Sequence, residues 1–129
     1  MESREYCITI QVFYEDTDHS GVVYHANYLK YFERAREHVI GAETLVRLWK
    51  DAGMGFAVYK ADVAFHDGAE FGDLLEIRSR FRQDSDYRQV WHQEAWRPGG
   101  KKPAVSADIH MVCLGRDRKL IPIPPLTYP

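Results

Sequence analysis

The sequence predicts an α+β fold in which an antiparallel five-stranded sheet wraps around one long helix. Three observations carry this reading. Apolar residues recur with a period of two near the start, switch once to a helical period, and return to two from Phe56 onward. The later strand-like segments are joined by short turns, "QDSD" and "PGGKKP", which suits antiparallel neighbours. One amphipathic helix cannot cover both faces of such a sheet, so the sheet is expected to curl around it. The remaining face and the edge strands then require another copy of the chain, a homodimer or homotetramer.

Each element follows from its pattern. In residues 6–14, "YCITIQVFY", Ile8, Ile10 and Val12 share one face and Thr9 and Gln11 the other, as in a strand. An acidic loop follows, "YEDTDHSGVVYHANY". In residues 26–40, "ANYLKYFERAREHVI", Tyr28, Phe32, Ala35 and Val39 fall at helical spacing, with Lys30, Glu33, Arg34 and Glu37 opposite. Gly41 reads as a stop, and residues 43–51, "ETLVRLWKD", as a further short helical piece closed by "AGMG". Residues 57–66 place Tyr59, Ala61, Val63 and Phe65 on one face. Residues 73–82 alternate cleanly, Leu75, Ile77 and Phe81 against Glu76, Arg78, Arg80 and Arg82. Residues 87–97 form a strand with apolar side chains on both faces. Residues 104–114 alternate again, with Val105, Ala107, Ile109, Met111 and Cys113 together. The tail "IPIPPLTYP" suits neither a helix nor a central strand.

Bulk composition narrows the function classes. At 129 residues, 45% hydrophobic and 28% charged, the chain is globular rather than disordered and large enough for one core. No repeat or linker divides it, so residues 1–129 are expected to form one domain. A net charge of −2 gives no global basic field, so no nucleic-acid partner is expected. No apolar run nears the roughly 20 residues of a membrane span. The opening "MESREYCITIQV" lacks a basic region followed by an apolar one. Cys7 and Cys113 lie in strand-like segments without metal or redox spacing. Both are read as buried thiols of a reducing compartment, and the cytoplasm is the expected location. His19, His38, His66, His92 and His110 show no ligand-type pairing, and no glycine-rich phosphate motif is present, so neither metal nor cofactor is expected.

The acidic loop is the chemical feature. Three carboxylates, Glu15, Asp16 and Asp18, precede Gly21 and the start of the helix near His25 to Asn27. The first backbone N–H groups of a helix lack intrahelical partners and attract anions. A carboxylate folded back beside them has the parts for ester or thioester hydrolysis: donors for the acyl oxygen and an acid to attack or to activate water. On residue chemistry alone a second reading is the commoner one, in which Asp16 or Asp18 simply caps the helix or faces solvent.

A resemblance shifts that weighting. The stretch "YEDTDHSGVVYHANYLKYFERAREHVI", with its Asp-Thr-Asp, Gly-Val-Val-Tyr-His-Ala-Asn-Tyr and Phe-Glu-Arg-Ala-Arg, resembles the hotdog-fold acyl-CoA thioesterases of the 4-hydroxybenzoyl-CoA thioesterase type, and within them the bacterial branch associated with the Tol–Pal system. "FGDLLEI" at 71–77 resembles a strand opening of the same family. Gly68 departs from it, standing where relatives often carry proline. The resemblance implies a hotdog fold and hydrolysis of an acyl-CoA to a free acid and coenzyme A. It places the catalytic carboxylate on Asp18, as nucleophile or general base, and the oxyanion-binding N–H on His25. Tyr24, Asn27 and Gly21 belong to the same motif and are expected to shape the substrate site. The His25 side chain has two readings, a hydrogen bond to the thioester or to Asp18, or an orienting role behind its backbone. Asp16 and Glu15 are read as turn residues whose charges raise the Asp18 pKa while the helix end lowers it.

The coenzyme A phosphates require basic partners. Candidates are Lys101, Lys102, Arg116, Arg118 and Lys119, and the stripe Arg78, Arg80 and Arg82, against the plainer reading of solvated surface. Trp49, Trp91 and Trp96 are read as core or interface. The site is expected at a dimer interface, since one subunit leaves a shallow pocket for an acyl group and a long pantetheine arm. The alternatives are a thioesterase acting on acyl carrier protein, docked through the arginine stripe, and a non-catalytic acyl-CoA-binding or envelope-associated scaffold.

Overall fold

The computed structural model describes residues Met1–Pro129. Its strands are β1 (Tyr6–Gln11), β2 (Gly55–Phe65), β3 (Leu74–Gln83), β4 (Gln89–Trp96), β5 (Val105–Leu114) and the two-residue β6 (Leu120–Ile121). The helices are α1 (Asn27–Ile40) and α2 (Ala42–Arg47), the latter running on into a wider turn over Leu48–Ala52. The sheet order is β1-β3-β4-β5-β2, antiparallel throughout, with β6 on β5. The expected five strands are therefore present. The sixth pairs at Cys113 and Leu114, beyond the Met111 rung where β4 begins. Gly41 ends α1 at φ +96, and its N–H bonds Glu37 O at 2.7 Å.

The sheet wraps α1, and the periodicities say why. Tyr28, Tyr31, Phe32, Ala35, Val39 and Ile40 are buried against Leu75, Ile77, Trp91, Ile109 and Met111. Phe32 and Trp91 are fully excluded from solvent; truncating side chains of this kind to alanine costs about 3–5 kcal/mol. The two-faced apolar pattern of β4 resolves by its central position. Gln89, Trp91, Gln93 and Ala95 face the helix, while His92, Glu94 and Trp96 lie half-buried on the outer face. The two glutamines are buried because each is bonded: Gln89 to Trp91 and Tyr128, Gln93 to Phe32, Ser79 and Arg36.

Two expectations fail for reasons of strand parity. Cys7 is exposed, since it shares the outer parity of Thr9 and Gln11; only Cys113 is buried, and burial pushes its thiol up to about 11. Tyr59 does not share a face with Ala61, Val63 and Phe65. The β2–β5 register slips between Val58 and Lys60, leaving Tyr59 as an extra residue. Its ring turns to the outer face over His110, at 5.8 Å between centroids. Phe56 and Val58 take the inner positions before the slip, opposite Cys113 and Met111.

Candidate active site

The loop from Phe13 to Ala26 is built on two acids with opposite placements. Asp16 points into the protein. Its carboxylate accepts the Phe13 N–H at 2.9 Å, and its carbonyl accepts both the Tyr24 N–H and the Asn27 side-chain amide, each at 2.9 Å. These bonds dock the first residue of α1 against the loop. Beside Asp16 lies the Tyr31 hydroxyl, which is buried and makes no hydrogen bond of its own. Burial first, and then the neighbouring Asp16 carboxylate, hold the Tyr31 phenol well above its usual range.

Asp18 points out. It opens a tight turn in which the Gly21 N–H bonds Asp18 O at 3.1 Å, and Gly21 takes φ +86, a conformation that favours glycine. The Ser20 hydroxyl and the Ser20 N–H both donate to Asp18 Oδ1, at 2.7 and 2.8 Å. These bonds, the hydroxyl first, draw the Asp18 carboxyl below its usual range. Neither acid caps α1: the helix begins after Ala26 with no side-chain cap. No hydrogen bond joins Asp18 to His25 either.

The helix start is open. The Tyr24 N–H is spent on Asp16 and the Asn27 N–H on Tyr24 O. The His25 N–H has no acceptor in the protein, and the residue is exposed. The His25 ring packs in an aromatic cluster, 4.5 Å from the Tyr24 ring and 6.1 Å from Phe65 between centroids. Tyr24 and Phe65 are about half exposed, at 48% and 51%, so this cluster offers an apolar wall to whatever binds there.

A second loop, residues 66–73, supports the first. Val23 N–H bonds Ala69 O at 2.8 Å, Ala69 N–H bonds the Tyr28 hydroxyl at 3.2 Å, and Val22 bridges Glu70. Arg97 clamps the loop's ends through Asp67 and Asp73 at 3.2 and 3.0 Å. The glycine at 68 has a local reason: a Cβ there would stand 2.8 Å from Val22 Cγ1. Sequence reasoning missed this second loop because the contacts are long-range. It also missed Ser20, although Asp-His-Ser-Gly carries the Asp at the first and the Gly at the fourth position of a common turn.

The basic candidates are partly spoken for. Arg78 pairs with Glu76 at 2.6 Å and stacks on Trp96 at 4.1 Å, and Arg82 pairs with Asp84 at 3.0 Å. Arg80 is exposed and has no ion pair, so the stripe offers one free guanidinium rather than three. Arg116 lies 5.0 Å over the exposed Trp49 ring and donates to the carbonyls of Trp49 and Lys50. Lys101, Lys102, Arg118 and Lys119 are exposed. Trp91 is core, as expected.

Residues 12–128 match the family model of the thioesterase-like superfamily. The chain belongs to that superfamily. Among its relatives is the acyl-CoA thioesterase YbgC of Helicobacter pylori, 42% identical over 86 residues, which is 67% of this chain and 63% of that protein. The acyl-CoA thioester hydrolase YbgC of Escherichia coli is 37% identical over 75 residues, 54% and 53% of the two chains. The chain thus spans less than two thirds of the length of these curated relatives. Among solved structures, the 1,4-dihydroxy-2-naphthoyl-CoA thioesterase of Synechocystis superposes with a TM-score of 0.85 at 26% identity, over 94% of this chain and 90% of that one. A 4-hydroxybenzoyl-CoA thioesterase superposes equally well, at 0.85, with 20% identity over 95% and 94%. The expected hotdog architecture is therefore the architecture found. No helix of this superfamily member is long and apolar enough to cross a membrane.

Proposed function

We propose that the protein is an acyl-CoA thioesterase, hydrolysing the thioester to a free acid and coenzyme A. The observation that carries the reading is the pairing of an exposed, ionised acid on a hydrogen-bonded turn, Asp18, with an unpaired N–H at the start of α1, His25. In this reading the His25 N–H donates to the oxygen of the thioester carbonyl as it becomes an oxyanion. Asp18 attacks the carbonyl to form a mixed anhydride, or takes a proton from the attacking water. Ser20 keeps Asp18 ionised and aimed. Gly21 permits the turn, Asn27 ties the helix start to Asp16, and Tyr24 with Phe65 walls the acyl side. The His25 ring has packing partners, which favours its orienting role. No metal or cofactor enters the chemistry, and the cytoplasm suits the substrate.

A homodimer or larger assembly completes the site. Its support is β2, an edge strand of eleven residues with Val58, Tyr59 and Phe65 exposed at about half their surface, 46%, 51% and 51%. Such an edge is a template for pairing with a second copy. Sedimentation at assay concentration should show at least a dimer, and an active monomer would refute this. The test of function is thiol release across a panel of acyl-CoAs, with Asp18→Asn as the control. A scaffold that only binds acyl-CoA would leave every thioester intact. The carrier-protein alternative has lost support with Arg78 and Arg82 paired to neighbours, and rates on matched carrier and coenzyme A thioesters decide it.

A further inference from the structure

The core holds one charge that this chemistry does not use. Arg36 projects from the buried face of α1 and is 6% exposed. Its Nη1 donates to Gln93 Oε1 at 2.9 Å, and no carboxylate lies within ion-pair distance. Gln93 is itself fixed, since its amide nitrogen donates to Phe32 O and to Ser79 Oγ, both at 2.9 Å. The network therefore presents an oxygen to Arg36 on one side and leaves the remaining guanidinium donors without a protein acceptor. A buried charge without a counter-charge is unfavourable. Burial draws the Arg36 pKa down to about 10, with Glu33 opposing, so the group remains a cation at neutral pH.

Arg36 lines a cavity of about 520 Å³ between α1 and strands β2 and β5. Its apolar wall is Ile40, Leu45, Phe56, Met111 and Val58, the last on the edge strand proposed above to meet a second copy. At its rim Lys30 and Arg34 balance Glu33 and Glu37, so Arg36 is the charge left over. The cavity and the catalytic loop occupy two ends of one seam between α1 and β2. At the first end Phe65 meets His25 and Tyr28; at the other Phe56 enters the cavity wall. From Asn27 to Arg36 is nine residues, about 14 Å along a helix axis.

We propose that this cavity receives the far end of the acyl chain and that Arg36 pairs there with a carboxylate. The preferred substrates are then acyl-CoAs of medium length carrying a carboxylate at the end away from the thioester. This rests on the thioesterase reading and adds a substrate class to it. The apolar wall takes the methylenes, and the guanidinium supplies the charge-assisted bonds that an uncharged chain end cannot use.

The experiment has two arms. In the first, kcat/KM is measured for the mono-CoA thioester of octanedioic acid and for octanoyl-CoA. The wild-type protein should prefer the acid by at least tenfold, the preference should vanish for the succinic thioester, which is too short to reach, and Arg36→Met should bring the ratio near one. Arg36→Lys, which keeps a cation, should retain part of it. A wild-type ratio of one or below overturns the proposal whether or not either variant folds. In the second arm, calorimetry compares octanoate with its uncharged amide, octanamide, on the wild-type protein, without turnover. Tighter binding of octanoate supports the cavity assignment even if no acyl-CoA is hydrolysed; equal binding counts against it. Hydrolysis of octanoyl-CoA without preference for the acid defeats this inference and leaves the thioesterase reading standing.

Discussion

Asp16 and Asp18 stand two residues apart on one loop and do opposite things. Asp16 is turned inward, its carbonyl fastening the helix start and its carboxylate bonded back to the Phe13 N–H, with a buried phenol beside it. Asp18 is turned outward, held only by Ser20 within its own turn. On the proposed mechanism the loop separates fastening from reactivity: the half-buried carboxylate is turned away from a substrate, while the exposed one, ionised and held by a short turn, is free to meet it. Nothing in the string Asp-Thr-Asp distinguishes the two; Asp16 closes one turn and bonds back to Phe13, whereas Asp18 opens the next.

The largest expected effect breaks that comparison at Asp18. Asp18→Asn keeps an Oδ1 that still accepts both Ser20 donors, so the turn and the melting temperature should survive. The charge and the basicity go. On the best acyl-CoA found, kcat should fall by at least ~10²-fold, about 2.7 kcal/mol of transition-state stabilisation. A well-folded variant with wild-type kcat would remove Asp18 from the mechanism. Asp16→Asn should lower kcat by less than tenfold, since its new amide oxygen still accepts the Phe13 N–H. If Asp16→Asn abolished turnover instead, the two roles would be reversed.

The next effect is on stability. Asn27→Ala removes the amide that bonds Asp16 O and frees the helix start from the loop. A loss of about 1 kcal/mol, the usual worth of a partly buried hydrogen bond, should appear in a denaturant titration. Gly68→Ala belongs to the same class. Its methyl meets Val22 at 2.8 Å and pushes the supporting loop off the acidic one. Overpacking of this kind costs about 1–3 kcal/mol, and a rate loss should accompany it if the second loop holds Val22 in place. A Gly68→Ala protein with unchanged melting and rate would mean that the two loops are not coupled.

Much of the fold was legible because parity is local. In β1, β3 and β5 apolar residues recur at every second position, Ser79 excepted, and form the inner face of the sheet. Parity fails where an event off the strand intervenes. The slip at Tyr59 depends on how β2 pairs with β5, and no pattern within β2 announces it. Arg36 was legible and easy to overlook: four residues after Phe32, it falls on the buried face of α1, but its charge suggests the surface. Its burial depends on Gln93, a residue of another strand. The candidate site divides the same way. The motif marks Asp18, Gly21, Tyr24, His25 and Asn27. Which acid faces inward depends on Asn27 and Tyr31 reaching it from the folded helix.

The smallest effect sharpens the comparison by titration. The Ser20 hydroxyl is the leading cause of the lowered Asp18 pKa. If Asp18 acts as a carboxylate, the rate falls as pH drops through that pKa, because protonation removes the nucleophile or base. A lowered pKa therefore keeps the enzyme active further into acid. Ser20→Ala deletes the hydroxyl donor and leaves the backbone donor, so the Asp18 pKa should rise toward its usual range. The acid limb of the kcat/KM profile should move to higher pH, while the rate on the plateau changes little. No such movement is expected for Asn27→Ala, whose bond goes to the backbone carbonyl of Asp16. Profiles of both variants on one substrate thus separate titration of Asp18 from a general loosening of the loop: an acid limb that stayed in place in Ser20→Ala would remove Asp18 from the titration.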